Sequence, residues 1–146
     1  MIKRGIQMKI LRILMLAVLP LVSLHALAQR QPVPIVNYEN LPTGRADISE
    51  NKVRATIEAA AREQDWAVRE IAPGRLLATL VVRGKHTVMT EIIYSPTQYS
   101  LTYRDSVNMK YGTSAATPGA PGVIHPFYNR WVGALKDGIR LALNKA

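Results

Sequence analysis

Apolar positions change their spacing several times along the chain, and each change marks a boundary. Val53, Ile57, Ala60 and Ala61 recur at intervals of three and four, which places them on one face of a helix. Asp47 and Glu50 stand at capping-box spacing, so the helix is predicted from about Ile48 to Gln64. Lys52, Arg54, Glu58, Arg62 and Glu63 take the remaining positions and read as its solvated face. From Trp66 to Ile71 the pattern alternates instead. Pro73 and Gly74 supply a turn, and Leu76–Arg83 is a β-prone run. Gly84 and Lys85 fit a two-residue hairpin, His86–Tyr94 is a third strand, Ser95–Gln98 turns again, and Tyr99–Ser106 is a fourth. Connections this short join antiparallel neighbours, because parallel strands need a crossover of about a dozen residues or more.

Residues 112–122 are small and polar, with too little apolar surface to order themselves, and are predicted to form a mobile loop. Pro126 suits the first turn of a helix, where its missing N–H costs nothing. Tyr128, Trp131, Leu135, Ile139 and Ala142 then mark an apolar stripe to the C-terminus. The pattern predicts an α+β two-layer sandwich: a four-stranded antiparallel meander with an N-terminal and a C-terminal helix on one face.

Alternation also assigns the two sheet faces. Leu76, Ala78, Leu80, Val82, Val88, Ile92, Tyr94, Tyr99, Leu101 and Tyr103 belong under the helices. The other face carries Thr79, Arg83, Thr87, Glu91, Ser100, Thr102 and Arg104, but also Leu77, Val81, Met89 and Ile93. Four large apolar residues are more than a solvated face requires, and such patches often mark association sites. Either a partner protein or a second copy covers this face, or the N-terminal leader or the 112–122 loop folds over it.

The N-terminal region has a different organisation. Lys3, Arg4, Lys9 and Arg12 precede an apolar run from Ile13 to Val22, and Ala26 and Ala28 supply the small residues of a cleavage site. That order is the signature of a secretory signal peptide cut after Ala28. The stretch Ile13–Leu24 has 12 residues with Pro20 inside it, short of the ~20 that a membrane-spanning helix needs. Met8 heads a more compact version of the same signal. Residues 29–46 contain Pro32, Pro34, Pro42 and Gly44 and are predicted to be an extended leader, in which Ile35, Val36 and Tyr38 suit a short edge strand. The domain proper is expected over 47–146.

Export changes the meaning of the charge. The 146 residues carry a net +9, but the segment before Gln29 holds four bases and no acids, leaving 15 basic and 10 acidic residues, a net +5. The remaining bases alternate with acids and form no stripe, which argues against nucleic acid and allows at most peripheral contact with an anionic membrane. The absence of Cys excludes disulfides, thiolate metal sites, cysteine nucleophiles and attachment of lipid to a cysteine.

Few residues suggest chemistry. Beyond the signal segment the histidines are His86 and His125, and with Asp105 and Ser106 they offer the ingredients of a hydrolase. No GxSxG elbow, HExxH motif or phosphate-cradling loop accompanies them, so no cofactor, metal or catalytic residue is assigned. Helix capping and a strand end are the simpler roles for the two histidines. The tyrosines Tyr94, Tyr99, Tyr103, Tyr111 and Tyr128, with Trp66 and Trp131, suit a core whose polar tips reach the sheet edges. A groove for a polar ligand or glycan is the alternative, with Tyr103, Asp105, Asn108, Tyr111, His125 and Asn129 as its candidates.

The segments RLLATLVVRGKHT, IIYSPTQYSLTYRDSVNMKY and IHPFYNRW resemble a group of small exported proteobacterial proteins, many of them lipoproteins of unassigned function. The resemblance covers roughly Val53 to Leu143 and implies a helix, four strands and a C-terminal helix. It implies no activity, and without the lipid-accepting Cys its membrane anchoring does not carry over. Taken together, these readings lead to the expectation of a periplasmic or secreted, non-catalytic binding module, with an envelope hydrolase as the alternative.

Overall fold

The structure is a computed structural model and describes residues 30–113 and 119–146. The expected signal peptide, with its expected cleavage site at Ala28, and the centre of the 112–122 loop lie outside the described residues.

Helix α1, Glu50–Arg62, buries Val53, Ile57, Ala60 and Ala61, the residues whose spacing predicts it. Its cap is Ser49 rather than the Asp47–Glu50 box. Ser49 is extended at φ −76° and ψ 152°, which lets its hydroxyl accept from the Lys52 amide at 3.2 Å. Asp47 lies too early in the chain to do this. Helix α2, Phe127–Lys145, buries Tyr128, Val132, Leu135, Ile139 and Leu143. The stripe is therefore rotated from the predicted one: Val132 and Leu143 are core, whereas Trp131 and Ala142 are only partly covered.

Two small strands come from the leader, β1 at Val33–Pro34 and β2 at Tyr38–Pro42. The meander follows as β3 Ala67–Ala72, β4 Arg75–Val82, β5 His86–Tyr94 and β6 Gln98–Val107, and β7 is Val123–Ile124. The main sheet has five antiparallel strands in the order β2-β6-β5-β4-β3, and β1 pairs with β7 in a two-stranded ribbon. The meander is as the pattern predicts, and the leader ahead of Asp47 adds strands at Val33–Pro34 and Tyr38–Pro42, so that of the residues expected in an edge strand Tyr38 is in one and Ile35 and Val36 lie between the two. The physical reason is the outer edge of β6, whose unpaired backbone groups take β2 as a partner. Proline does not obstruct this, because Pro34 and Pro42 sit on edge strands, at strand ends, where a missing N–H breaks no central ladder.

The leader is stitched down along its length. Tyr103 N donates to Asn37 Oδ1 at 2.9 Å and Asn40 N to Ser100 Oγ at 2.9 Å. Buried Thr43 donates from its amide to Thr97 O at 2.9 Å and from its hydroxyl to Pro96 O at 2.8 Å. Ile35 and Ile124 enter the same core as the helices and β4–β6.

The β4–β5 turn sits one residue earlier than predicted. Lys85 N donates to Val82 O at 3.1 Å, so Arg83 and Gly84 are the central residues, both left-handed, with φ of 53° and 63°. Arg83 is thereby lifted to the end of the sheet, beside the start of α2.

Candidate functional site

The sheet face away from the helices is organised in cross-strand rows. Arg69, Leu77, Glu91 and Thr102 form one row, Arg75, Ile93 and Ser100 another, Thr79, Met89 and Asp105 a third, and Val81, Thr87 and Val107 a fourth. Val81 is 58% exposed, Val107 50% and Ile93 42%; Met89 is half-buried. Leu77 departs from expectation: it is only 8% exposed yet lies outside the main core cluster. Its neighbours in the row are Arg69 and Glu91, whose long side chains can lie over it.

Glu91 centres the face. Arg75 Nε is 2.7 Å from its Oε1 and Arg104 Nη1 3.8 Å from its Oε2, so a mostly covered carboxylate is held between two exposed guanidiniums. The described leader residues follow the β6 edge and α2 instead of crossing this face: Tyr38 pairs with Leu101, and the Lys136 ammonium lies 5.0 Å from the Tyr38 ring centre. The leader does not cover the apolar patch.

The Tyr and Asn candidates come together in part, and mainly as architecture. Tyr103 and Tyr111 stack with ring centres 4.8 Å apart and planes at 10°, and Tyr103 meets Tyr128 edge-on at 5.4 Å. Asn129 spends both ends of its amide on the leader backbone, donating to Pro34 O at 2.9 Å and accepting from Val36 N at 3.0 Å. Asn108 is left-handed at φ 57° and donates to Lys85 O at 2.7 Å. Both ends of the Asn129 amide are therefore engaged by the leader, and Asn108 is engaged through its amino group. Burial raises the hydroxyl pKa of Tyr94, Tyr99, Tyr103 and Tyr128, which keeps them protonated at neutral pH.

The hydrolase set is not assembled among the described residues. Asp105 is on the open face in register with Met89, whereas Ser106 is in register with core-facing Val88; neighbours along a strand point to opposite sides. The Ser106 hydroxyl is 3.0 Å from the Tyr103 hydroxyl, and the Asp105 carboxylate accepts from the Ser106 amide at 2.7 Å. Neither residue is hydrogen-bonded to a histidine.

The two histidines do meet. His86, Met109, His125, Phe127 and Trp131 line a recess of about 100 Å³, and His86, Phe127 and Trp131 also line a wider cleft of about 470 Å³ with Val82, Arg83 and Arg130. His86 Nδ1–H donates to Asn108 O at 2.9 Å, leaving its Nε2 for other contacts. His125 Nδ1 accepts from the Phe127 amide at 3.2 Å, which places its proton on Nε2 and caps α2. Burial, with Lys110, Arg30 and His86 nearby, lowers the His125 pKa. Sequence reasoning foresaw this capping role but missed the convergence, because the recess unites a hairpin turn, the end of β6 and the first turn of α2.

A third groove, of about 350 Å³, lies between α1 and the end of α2, where alanines form its floor and Lys52, Glu63 and Lys145 stand among its lining. Among the described residues no group of His, Asp and Glu is arranged to hold a metal, and no helix is long and apolar enough to cross a membrane. Comparison of the chain with protein-family models, with curated proteins and with solved structures gives no match.

Proposed function

We propose that this chain is an exported, non-catalytic interaction module of the cell envelope that docks a partner protein on the open face of its sheet. Export is supported by the order of Lys3 to Arg12, the apolar run and the Ala26–Ala28 site. The observation that carries the docking reading is the patch of Val81, Met89, Ile93 and Val107 around the Arg75–Glu91–Arg104 bridge, which the described leader leaves uncovered. An apolar centre with charged surroundings is the usual anatomy of a protein interface. Three arginines, Arg69, Arg75 and Arg104, face two carboxylates, Glu91 and Asp105, so the complementary surface is an apolar patch with an acidic rim.

The test is site-specific photo-crosslinking in intact cells, with a benzophenone amino acid at Val81 and, as control, at the exposed Leu141 on α2. A discrete adduct from Val81, absent from Leu141 and lost when Met89→Lys is added, supports the reading. An adduct of twice the chain mass identifies the partner as a second copy. Equal crosslinking from both positions, or an adduct that survives Met89→Lys in a folded protein, removes this face from consideration.

A further inference from the structure

The cleft beside His86 has a composition that neither the fold nor the open face requires. Its floor is apolar and aromatic: Val82, Phe127 and Trp131, with Met109 in the adjoining recess. Phe127 and Trp131 are 5.6 Å apart between ring centres, with planes tilted by 39°. Its charged lining is entirely cationic. Arg83 and Arg130 border the cleft, the Arg30 guanidinium lies 4.6 Å from the Phe127 ring centre and that of Arg130 6.0 Å, and Lys110 lies near enough to His125 to influence its proton.

None of Arg30, Arg83, Lys110 and Arg130 forms an ion pair among the described residues; Arg45, Lys52, Arg69, Lys85 and Lys145 form none either, so what distinguishes the four is that they gather around one apolar cleft. No acidic residue lines the cleft or the recess. Like charges gathered around an apolar hollow repel one another, and the arrangement is relieved by an anion. The backbone here is also held in unfavourable conformations: Arg83, Asn108 and Lys110 have φ of 53°, 57° and 52°, a region that side chains other than glycine seldom occupy. These turns bring the end of β6 and the β4–β5 hairpin up to α2 and form the walls.

We propose that this cleft is a binding site for a small aromatic anion, its ring seated on Phe127 and Trp131 and its acidic group held by Arg83 and Arg130, with His86 Nε2 as a further polar contact. A volume of about 470 Å³ lies within the ~300–1,000 Å³ range of pockets that enclose small organic ligands. Guanidinium groups suit a carboxylate, sulfonate or phosphate because their fork of N–H donors matches two oxygens at once. The site is at the opposite end of α2 from its C-terminus and does not use Val81, Met89 or Ile93, so it stands or falls separately from the docking face.

The experiment is calorimetric titration of the chain that begins at Gln29 with naphthalene-2-sulfonate, its uncharged isostere naphthalene-2-sulfonamide, and inorganic phosphate. Quenching of Trp131 is followed in a Trp66→Phe background. The expected result is saturable one-to-one binding of the sulfonate with quenching, weaker binding of the sulfonamide, and weaker binding of phosphate, which has no ring. Arg83→Gln with Arg130→Gln should weaken the sulfonate by about tenfold or more while leaving the sulfonamide nearly unchanged, a pattern that misfolding does not produce. Equal affinity for sulfonate and sulfonamide, or sulfonate binding unaffected in the folded double variant, overturns the proposal. So does binding to phosphatidylglycerol vesicles with no binding of the sulfonate, which makes the cationic rim a membrane contact instead.

Discussion

Asn129 accepts a hydrogen bond from the amide of Val36 at 3.0 Å, joining the first turn of α2 to a leader residue 93 positions earlier. The same side chain donates to Pro34 O at 2.9 Å, so one asparagine serves the donor and the acceptor of a strand segment as a neighbouring strand would. Ile35, between the two bonded residues, is buried. The clamp thus fixes which leader residue enters the core.

Replacing Asn129 should therefore loosen the leader before it unfolds the domain. Asn129→Ala removes two partly exposed hydrogen bonds and is expected to cost about 1–2 kcal/mol. Amide exchange is the check: Val36, Asn40 and other leader amides should exchange faster, while those of β4 and β5 keep their protection up to global unfolding. Uniform acceleration across the sheet would show that the leader and the meander unfold as one unit.

Tyr128 presents the reverse situation. Its ring is fully buried, and its hydroxyl makes no well-aligned hydrogen bond among the described residues, although Thr90 lies beside it. The adjacent Thr90 hydroxyl donates to Thr102 O at 2.8 Å. An unpaired buried hydroxyl is unfavourable, so Tyr128→Phe should leave stability unchanged or raise it by about 1 kcal/mol. Chemical denaturation measures this directly. A loss above about 1 kcal/mol would mean that the hydroxyl has a partner, through Thr90 or an ordered water.

His125 links stability to pH. Its folded pKa lies below the ordinary 6.5, chiefly through burial, so the unfolded chain binds the proton more readily. Stability from this group is complete above about pH 6.5 and declines as the pH falls from there towards the folded pKa. The cap gives the structural reason, since Nδ1 must stay unprotonated to accept from the Phe127 amide. Denaturation midpoints at pH 7.5 and pH 5.5 should differ more in the parent protein than in His125→Asn, which keeps a capping acceptor that does not titrate. Equal differences in the two proteins would show that His125 is not the group responsible.

Much of the architecture was legible in the chain because the relevant signals are local. Val53, Ile57 and Ala60 specify a helix by spacing alone, and Pro73–Gly74 specifies its turn because Gly74 must reach φ 71°. Alternation in β4 to β6 assigns the faces correctly even for Leu77, which belongs to the open face as predicted, in register with Arg69 and Glu91, and is nonetheless buried. The place of the leader was less legible. Prolines argued for an extended strap, but the free edge of β6 that turns such a strap into a strand exists only after the meander has formed.

The candidate site divides in the same way. The types of the polar residues were visible, but their duties were not: Asn108, Asn129 and Ser106 proved to be joined to backbone or to a neighbouring tyrosine, whereas Arg83 and Trp131, read as a sheet-face residue and a core residue, border the cleft. The sequence by itself determined the helices, the antiparallel strands and the apolar surplus on one sheet face, since each follows from side-chain periodicity within about ten residues. Tertiary structure alone decided which residues of the leader form the fifth strand and which edge it joins, the covering of Leu77 and the meeting of His86 with His125. Those depend on contacts between segments far apart in the chain, whose register is set by packing around the common core and not by any local pattern.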